Sequence, residues 1–334
     1  PLLKDTNRPA AVRAQALRLV APTDPALNET FFAELLATSD PQLQLETVRT
    51  LQGARPEISA RLLQEIVSDP DRNELQRLEA VVGLTNTAKT EPTGGPARSL
   101  LKSQLNSSSP AMQREALRAV RPLLGSDVDL RVTVQQIAES LGRMPDTEVR
   151  TELADQIRLA LRDSTLDVPP QIEGLASPIP SNREEWFAEL NRGRNVDPEA
   201  GRRLFFHPNA AGCSKCHTIN GRGGRVGPEL SRTVETLNRI QLIQSILEPS
   251  REIAPQFVAW TLETQAGRVF NGMIVHENAG KTILGNATGE LIELETADII
   301  QRVPQKVSIM PEKLHERMTL KELRDLLAYL DQLR

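Results

Sequence analysis

The sequence predicts a mainly α-helical protein in which helical repeats are followed by a second helical domain with a small antiparallel β insert. Three observations predict this organisation. A similar eight-residue segment recurs along the first half, a proline-rich stretch interrupts the chain near its middle, and short strand-like runs lie late in the second half. With 334 residues, the chain is long enough for two or three domains that each bury a core.

The first half contains an internal repeat of helical segments. The copies that align without gaps are Arg13–Val20, Gln44–Leu51, Arg77–Leu84 and Gln113–Val120, and a weaker copy begins at Arg150. The equivalent position recurs every 31 to 37 residues, at Gln15, Glu46, Glu79, Glu115 and Glu152. Such a period of helices with one apolar stripe is typical of stacked helix pairs. Residues 1–165 resemble HEAT repeats, which implies an α-solenoid, and we interpret the repeated glutamate as a helix-surface or inter-repeat contact.

The repeat pattern ends before a proline-rich segment, residues 166–182. Val168-Pro-Pro170 and Pro178-Ile-Pro180 are separated by Ser, Gly and acidic residues without any period. This composition is typical of a fairly stiff linker. We therefore predict a domain boundary here, with a second domain over residues 183–334.

A C-x-x-C-H motif, Cys213-Ser-Lys-Cys216-His217, carries the most specific chemical signal, and its cysteines are the only two in the sequence. The spacing allows two thioether bonds to one haem while the adjacent histidine turns toward the iron, so it predicts one covalent haem c. A structural zinc site would need a second ligand pair, and the other three histidines occur singly. A redox dithiol would lie at a strand end in a βαβ unit, whereas a loop-like stretch precedes Cys213.

Further motifs flank this pentapeptide. They are G-x-x-L-F from Gly201, G-x-x-G-P-x-L from Gly224, S-x-M-P from Ser308 and L-L-x-Y-L from Leu326. Together they resemble a class I cytochrome c and, more closely, the putative haem-binding domain family of the planctomycete and verrucomicrobial type, in which HEAT-like repeats often precede the cytochrome. The implied fold is therefore a HEAT-like α-solenoid followed by a class I-like cytochrome c domain.

The resemblance also implies roles for individual residues. Cys213 and Cys216 would anchor the haem, His217 would be the proximal iron ligand, and the carbonyl of Pro228 would fix the His217 ring through its other nitrogen. Met310 would be the distal iron ligand. The glycines near Pro228 would leave room for the porphyrin edge.

The setting of Met310 suits a ligand independently of the family. It lies in a loop in which Pro311 restricts its backbone, just before an amphipathic helix from Leu320 to Leu333. Other possible ligands in the second half are Met273, Met318, His276 and His315.

The 93 residues between His217 and Met310 exceed the interval of a minimal class I cytochrome. The strand-like runs in this interval are 257–264, 268–275, 281–284 and 291–294, separated by glycine-bearing turns. They predict an antiparallel β insert over about residues 256–307. We expect it to lie beside the haem and lower its solvent access.

Charge and hydropathy exclude several classes of partner. The 40 basic and 44 acidic residues give no reason to expect nucleic acid, and no apolar run reaches the roughly 18 residues of a membrane span. Residues 192–225 around the motif, however, contain seven basic and two acidic residues. The basic ones are Arg192, Arg194, Arg202, Arg203, Lys215, Arg222 and Arg225. We expect some of these, Arg225 in particular, to contact haem propionates, and others to steer an acidic redox partner. The alternative is a basic face that is merely solvated.

These observations favour a periplasmic or otherwise exported c-type cytochrome, because covalent haem is normally attached on the oxidising side of the bacterial membrane. The N-terminus shows no signal-peptide pattern, so we expect any signal to have been removed or to lie upstream. A His/Met-ligated haem passes single electrons, here to or from a dehydrogenase or a small electron carrier. The alternatives are a haem enzyme or gas sensor with an open distal site, for which His207 and Arg225 are candidate distal residues, and an interaction scaffold in which the haem is secondary.

Overall fold

The computed structural model describes residues 2–192 and 195–333, except for the side chains of residues 233 and 234. The chain divides into two compact units, Pro1–Pro178 and Ile179–Arg334. The protein as a whole is mainly helical, and the second unit also contains a small antiparallel sheet. The coarse prediction of a mainly helical protein with a small antiparallel insert is therefore confirmed.

The first unit is built from ten described α-helices. They are α1 Ala10–Leu19, α2 Glu29–Leu36, α3 Pro41–Leu51, α4 Pro56–Ser68, α5 Glu74–Thr90, α6 Pro96–Gln104, α7 Pro110–Val120, α8 Val128–Ser140, α9 Thr147–Asp163 and α10 Pro170–Leu175. Several of these helices begin at a capping residue that is followed by proline. The side chain of Asp40 accepts a hydrogen bond from the Leu43 amide, and Ser109 does the same for Met112, each just before a first-turn proline.

The repeated segments lie on helices that pack in sequence. They fall in α1, α3, α5 and α7, and the weaker copy from Arg150 falls in α9. Each of these helices contacts the next odd-numbered one, while α2 contacts α4 and α4 contacts α6. Their apolar stripes form one continuous core that includes Leu17, Leu51, Leu84 and Leu117.

Partly buried ion pairs join α1 to α3, α3 to α5 and α7 to α9. Glu46 on α3 accepts from Arg18 on α1 at 2.8 Å, and Glu79 on α5 accepts from Arg49 on α3 at 3.0 Å. A third pair joins Arg114 on α7 to Glu152 on α9. Glu46, Glu79 and Glu152 therefore lie between neighbouring repeats, whereas Glu115 pairs with Arg118 on its own helix.

The predicted linker over residues 166–182 is largely part of the first unit. Helix α10 lies inside it, and Ile172 of that helix is fully buried in the core of the first unit. Ser177 adds two hydrogen bonds of 2.8 Å to the carboxylate of Asp155. A proline-rich segment can contain a helix because proline is compatible with the first helical turn, where Pro170 has no intrahelical hydrogen bond to lose.

The second unit contains the remaining described elements. Its helices are α11 Arg183–Asn191, α12 Pro198–Phe206, α13 Cys213–Cys216, α14 Thr233–Thr236, α15 Arg239–Leu247 and α16 Leu320–Leu330. Its strands are β1 Thr218–Ile219, β2 Arg222–Gly223, β3 Ala259–Thr264, β4 Val269–Glu277, β5 Lys281–Gly285, β6 Leu291–Glu295 and β7 Ile299–Pro304. Strands β1 and β2 form a hairpin, and the other five form an antiparallel sheet in the order β6-β5-β4-β3-β7.

Strand β7 was not among the predicted strands. It pairs antiparallel with β3, for example Thr261 with Val303, and so forms one edge of the sheet. Nearly all of its residues are exposed, so its sequence lacks the alternation of apolar and polar residues that marks a half-buried strand.

Helices α12 and α16 cross closely in the core of the second unit. A Cβ atom on Gly201 would lie 2.0 Å from the carbonyl oxygen of Asp325, so only glycine allows this approach. Nearby, the rings of Phe205 and Tyr329 lie 6.2 Å apart. The apolar cluster around the crossing, called the second core below, includes Leu190, Leu204, Phe205, Ile219, Ile243, Met318, Leu323 and Leu327.

Candidate functional site

The two cysteines of the motif lie on a single helical turn, α13. Because they are three residues apart, their side chains share one face of that turn. The amide of His217 ends the turn by donating to the Cys213 carbonyl at 2.9 Å. Neither cysteine forms a disulfide. The local backbone thus presents two thiols and an imidazole from five consecutive residues.

The ring of His217 is fixed by the backbone of Pro228. Its Nδ1 lies 2.9 Å from the Pro228 carbonyl oxygen, which can only accept, so Nδ1 carries the proton and donates. Burial lowers the pKa of His217, and the hydrogen bond to Pro228 opposes this shift only in part. The ring is therefore neutral near pH 7, and its Nε2 keeps a lone pair that can coordinate a metal.

Gly227 lies flat against this ring. A Cβ atom at this position would lie 2.6 Å from Cε1 and 2.8 Å from Nδ1 of His217. The Gly227 amide also donates to the Cys216 carbonyl at 2.8 Å. In the structure the His217 ring alone leaves no room for a Cβ atom at Gly227; the porphyrin edge that the sequence suggested as a reason for the glycines stays a prediction.

Backbone hydrogen bonds hold the segment after His217 against the motif. The amide of Gly224 donates to the Ser214 carbonyl, and that of Leu230 to the Thr218 carbonyl, both at 2.8 Å. Thr218 Oγ1 donates to the Gly224 carbonyl at 2.6 Å. The segment therefore forms a rigid wrap that carries Pro228 to the His217 ring.

The β insert contacts the motif directly. A Cβ atom on Gly289, in the turn between β5 and β6, would lie 2.3 Å from the Lys215 carbonyl oxygen. On β5, Gly285 lies close to the fully buried side chain of Val226. One end of the insert thus packs against α13 and against Val226 in the segment after His217.

Burial also changes the chemistry of the two thiols. It raises the pKa of Cys213 to about 12 and raises that of Cys216 as well. Both thiols are therefore protonated near pH 7. A redox dithiol of the thioredoxin type needs the opposite shift, because the thiolate is the attacking species.

Met310 lies in a loop and is only half-buried. Its side chain packs against the second core, as does that of Cys213. Met273 and Met318 are both buried, with 5% of each residue exposed, so their thioethers are already packed. Met310 therefore differs from Met273 and Met318 in being partly exposed.

Neither alternative histidine is placed like His217. His276 is exposed on β4, where its Nε2 lies 3.4 Å from Nδ2 of the Asn278 side chain. The ring of His315 packs edge-on against Trp186, with 4.9 Å between the ring centroids.

The basic residues around the motif do not form one basic face. Arg203 is buried and lies 3.8 Å from Asp197, and Arg202 is buried over the ring of Phe206. Arg225 is exposed. Arg194 lies outside the described residues. The predicted cluster therefore divides into arginines that stabilise the fold and exposed charges near the motif.

The donor set meets the chemical requirements of covalent haem. Two thiols share one face, a neutral imidazole with an available nitrogen follows them, and Cys213 packs against the second core. Within residues 2–192 and 195–333, no three His, Cys, Asp or Glu side chains gather into a metal-ion site. Haem needs no such cluster, because the porphyrin supplies four of the iron ligands.

A helix that combines the length and apolar character of a bilayer span does not occur among the described residues.

In comparisons with known proteins, neither a family model nor a curated protein matches this sequence.

Proposed function

We propose that the second unit is a class I-like cytochrome c domain that binds one covalent haem c and transfers single electrons. The contact between His217 Nδ1 and the Pro228 carbonyl is the observation that carries this proposal. It fixes the tautomer and orientation that an axial imidazole needs, directly after two unpaired cysteines on one helical face.

In this proposal the S–H groups of Cys213 and Cys216 would add across the two vinyl C=C bonds of the haem, which gives two thioethers without a leaving group. His217 Nε2 and the Met310 thioether would bind the iron. When bound, the haem supplies an iron that alternates between its ferric and ferrous forms. The chain controls that iron through the basicity of His217, which the hydrogen bond to Pro228 raises, and through the second core, which excludes water.

Exposure and charge support a docking role for the surface near the motif. Lys215 and Arg225 are exposed there, so Arg225 is free to contact a propionate or an acidic partner. The proposed partners are a dehydrogenase that donates electrons and a small carrier that accepts them. Because haem c is attached in an oxidising compartment, the proposed location is periplasmic or otherwise exported.

Electron transfer is favoured over the haem-enzyme alternative. Ligation by His217 and Met310 leaves no open position for a substrate. A peroxidase-like site would also need a histidine and an arginine together on the distal side. His207 is fully buried and its Nδ1 accepts from the Asn209 amide, whereas Arg225 is exposed.

For the first unit, the proposal is a HEAT-like α-solenoid that serves as a spacer or docking surface. The stacking of α1, α3, α5, α7 and α9, with buried ion pairs between neighbours, supports it.

Replacement of Cys213 or Cys216 by alanine tests the proposed attachment. Each variant should weaken or abolish covalent haem retention, measured by haem staining on a denaturing gel after expression with haem c maturation. Ser214→Ala is the matched control, because it changes a residue between the cysteines and should keep full staining. Full staining in both cysteine variants would overturn the proposal.

A further inference from the structure

Ser250 joins two parts of the chain that are far apart in sequence. It follows helix α15 and Pro249, and its Oγ accepts a hydrogen bond from the Ser308 amide at 3.0 Å. The same hydroxyl donates to the Glu312 carboxylate. These partners lie 58 and 62 residues away, at the two ends of the segment 308–312, called the Met310 loop below.

The hydroxyl of Ser250 therefore holds both ends of the Met310 loop. A serine hydroxyl has one donor and two acceptor positions, so one side chain can make both contacts at once. Inside the loop, the Met310 amide donates to Ser308 Oγ at 3.1 Å. Ser308 thus links Met310 to Ser250 through two successive hydrogen bonds.

The Met310 loop has no regular secondary structure, and it gains order from these contacts. A loop held only by its chain ends samples many backbone conformations, and each residue that must be fixed costs conformational entropy. An iron ligand must be held to within about 0.2 Å of its bonding distance. A hydroxyl that clamps both ends of the loop lowers the entropy cost of holding the Met310 sulfur in place.

We propose that Ser250 is a positioning residue that keeps the Met310 thioether available for ligation by clamping the Met310 loop. The inference rests on the proposed function, because it assumes that Met310 is the distal ligand. It assigns to the segment after α15 a role that neither the motif nor the resemblance indicated.

The test compares three holoprotein variants with the wild type. Ser250→Ala removes both contacts, Ser250→Thr keeps a hydroxyl, and Ser245→Ala is the matched control. Ser245 lies on α15, is exposed, and its hydroxyl bonds only within the helix, to the Gln241 carbonyl. The measurements are the sulfur-to-iron charge-transfer band of the oxidised form, the carbon monoxide binding rate of the reduced form, and hydrogen exchange at the Ser308 amide.

Ser250→Ala should weaken the charge-transfer band and raise both the carbon monoxide binding rate and Ser308 amide exchange by about fivefold to tenfold, the effect of a lost hydrogen bond. Ser250→Thr and Ser245→Ala should stay close to the wild type. If Ser250→Ala does not fold, Glu312→Ala replaces it, because this exposed position removes one of the two contacts and should shift all three measurements in the same direction.

Two results would overturn the inference alone. One is faster Ser308 exchange with an unchanged band and carbon monoxide rate, and the other is Ser250→Ala behaving like Ser245→Ala throughout. A wild type that lacks the band and binds carbon monoxide readily would overturn Met310 ligation itself, and the inference with it. Hydrogen exchange separates these cases, because it reports the clamp without reference to the iron.

Discussion

Replacing Gly227 by alanine tests the His217 ring geometry with the smallest possible side-chain change. Ordinary contact at a Cβ atom begins near 3.4 Å, but this Cβ would lie 2.6 Å from His217 Cε1, so the ring or the wrap must move by about 0.8 Å. That displacement exceeds the tolerance of about 0.2 Å on a metal–ligand distance. The backbone of Gly227 does not have a positive φ, so alanine adds this steric conflict without backbone strain.

Two effects of Gly227→Ala should separate. Covalent attachment should persist because both cysteines are untouched, whereas the low-spin spectrum should weaken as His217 is displaced from the iron. The unfolding free energy should fall by about 1 to 3 kcal/mol, which is typical of overpacking at a well-packed site. Absorption spectroscopy, haem staining and chemical denaturation of the holoprotein measure these quantities.

Gly280→Ala is the matched control. It lies in the same unit without a positive φ, and its Cβ would meet only the Asn278 side-chain oxygen at 3.6 Å. If Gly227→Ala showed the same spectrum and the same stability as Gly280→Ala, the His217 ring would not occupy the position described above.

Three further predictions concern the distal ligand, the first unit and the helix crossing. Met310→Ala should remove the charge-transfer band, lower the reduction potential and allow carbon monoxide binding, whereas Met273→Ala should leave the iron spectrum nearly unchanged. Arg49→Ala should lower the unfolding free energy of the first unit by about 3 kcal/mol. This value is at the low end for a broken buried pair, because Gln52 still donates a hydrogen bond to Glu79. Arg61 is exposed, so Arg61→Ala should have a much smaller effect, and equal effects of the two variants would contradict the inter-repeat pairing. Burial raises the pKa of Asp325 from 3.8 to about 6, so between these pH values the folded state holds a proton that the unfolded state has lost. The unfolding free energy should therefore fall as the pH rises from about 4 to 6. Asp325→Asn should remove about 1 to 3 kcal/mol of this fall, and an unchanged pH profile would refute the raised pKa of Asp325.

Local sequence signals were sufficient for many of the elements. At the start of α12, the carboxylate of Asp197 accepts from the amides of Glu199 and Ala200, which is a local signal of capping residue followed by first-turn proline. The repeats were visible because each copy has to present the same apolar stripe to its neighbours. The C-x-x-C-H motif was visible because all its chemistry lies within five consecutive residues.

Contacts between distant segments were not predictable in the same way. The packing of Gly289 against Lys215 and the clamp from Ser250 to Ser308 join segments more than 50 residues apart, and neither follows from a local pattern. The contact between His217 and Pro228 was expected only from the family resemblance. Spacing alone does not determine which of the wrap's carbonyls reaches the imidazole.

The absorption spectrum of the purified wild-type protein, oxidised and reduced, tests the central claim most directly. We predict a c-type haem that stays with the denatured chain, a low-spin spectrum in both states, a sulfur-to-iron charge-transfer band when oxidised, and little binding of carbon monoxide when reduced. Protein matured for haem c attachment that carries no covalent haem would contradict the account. A high-spin spectrum with ready carbon monoxide binding would instead contradict Met310 ligation and favour a haem enzyme or gas sensor.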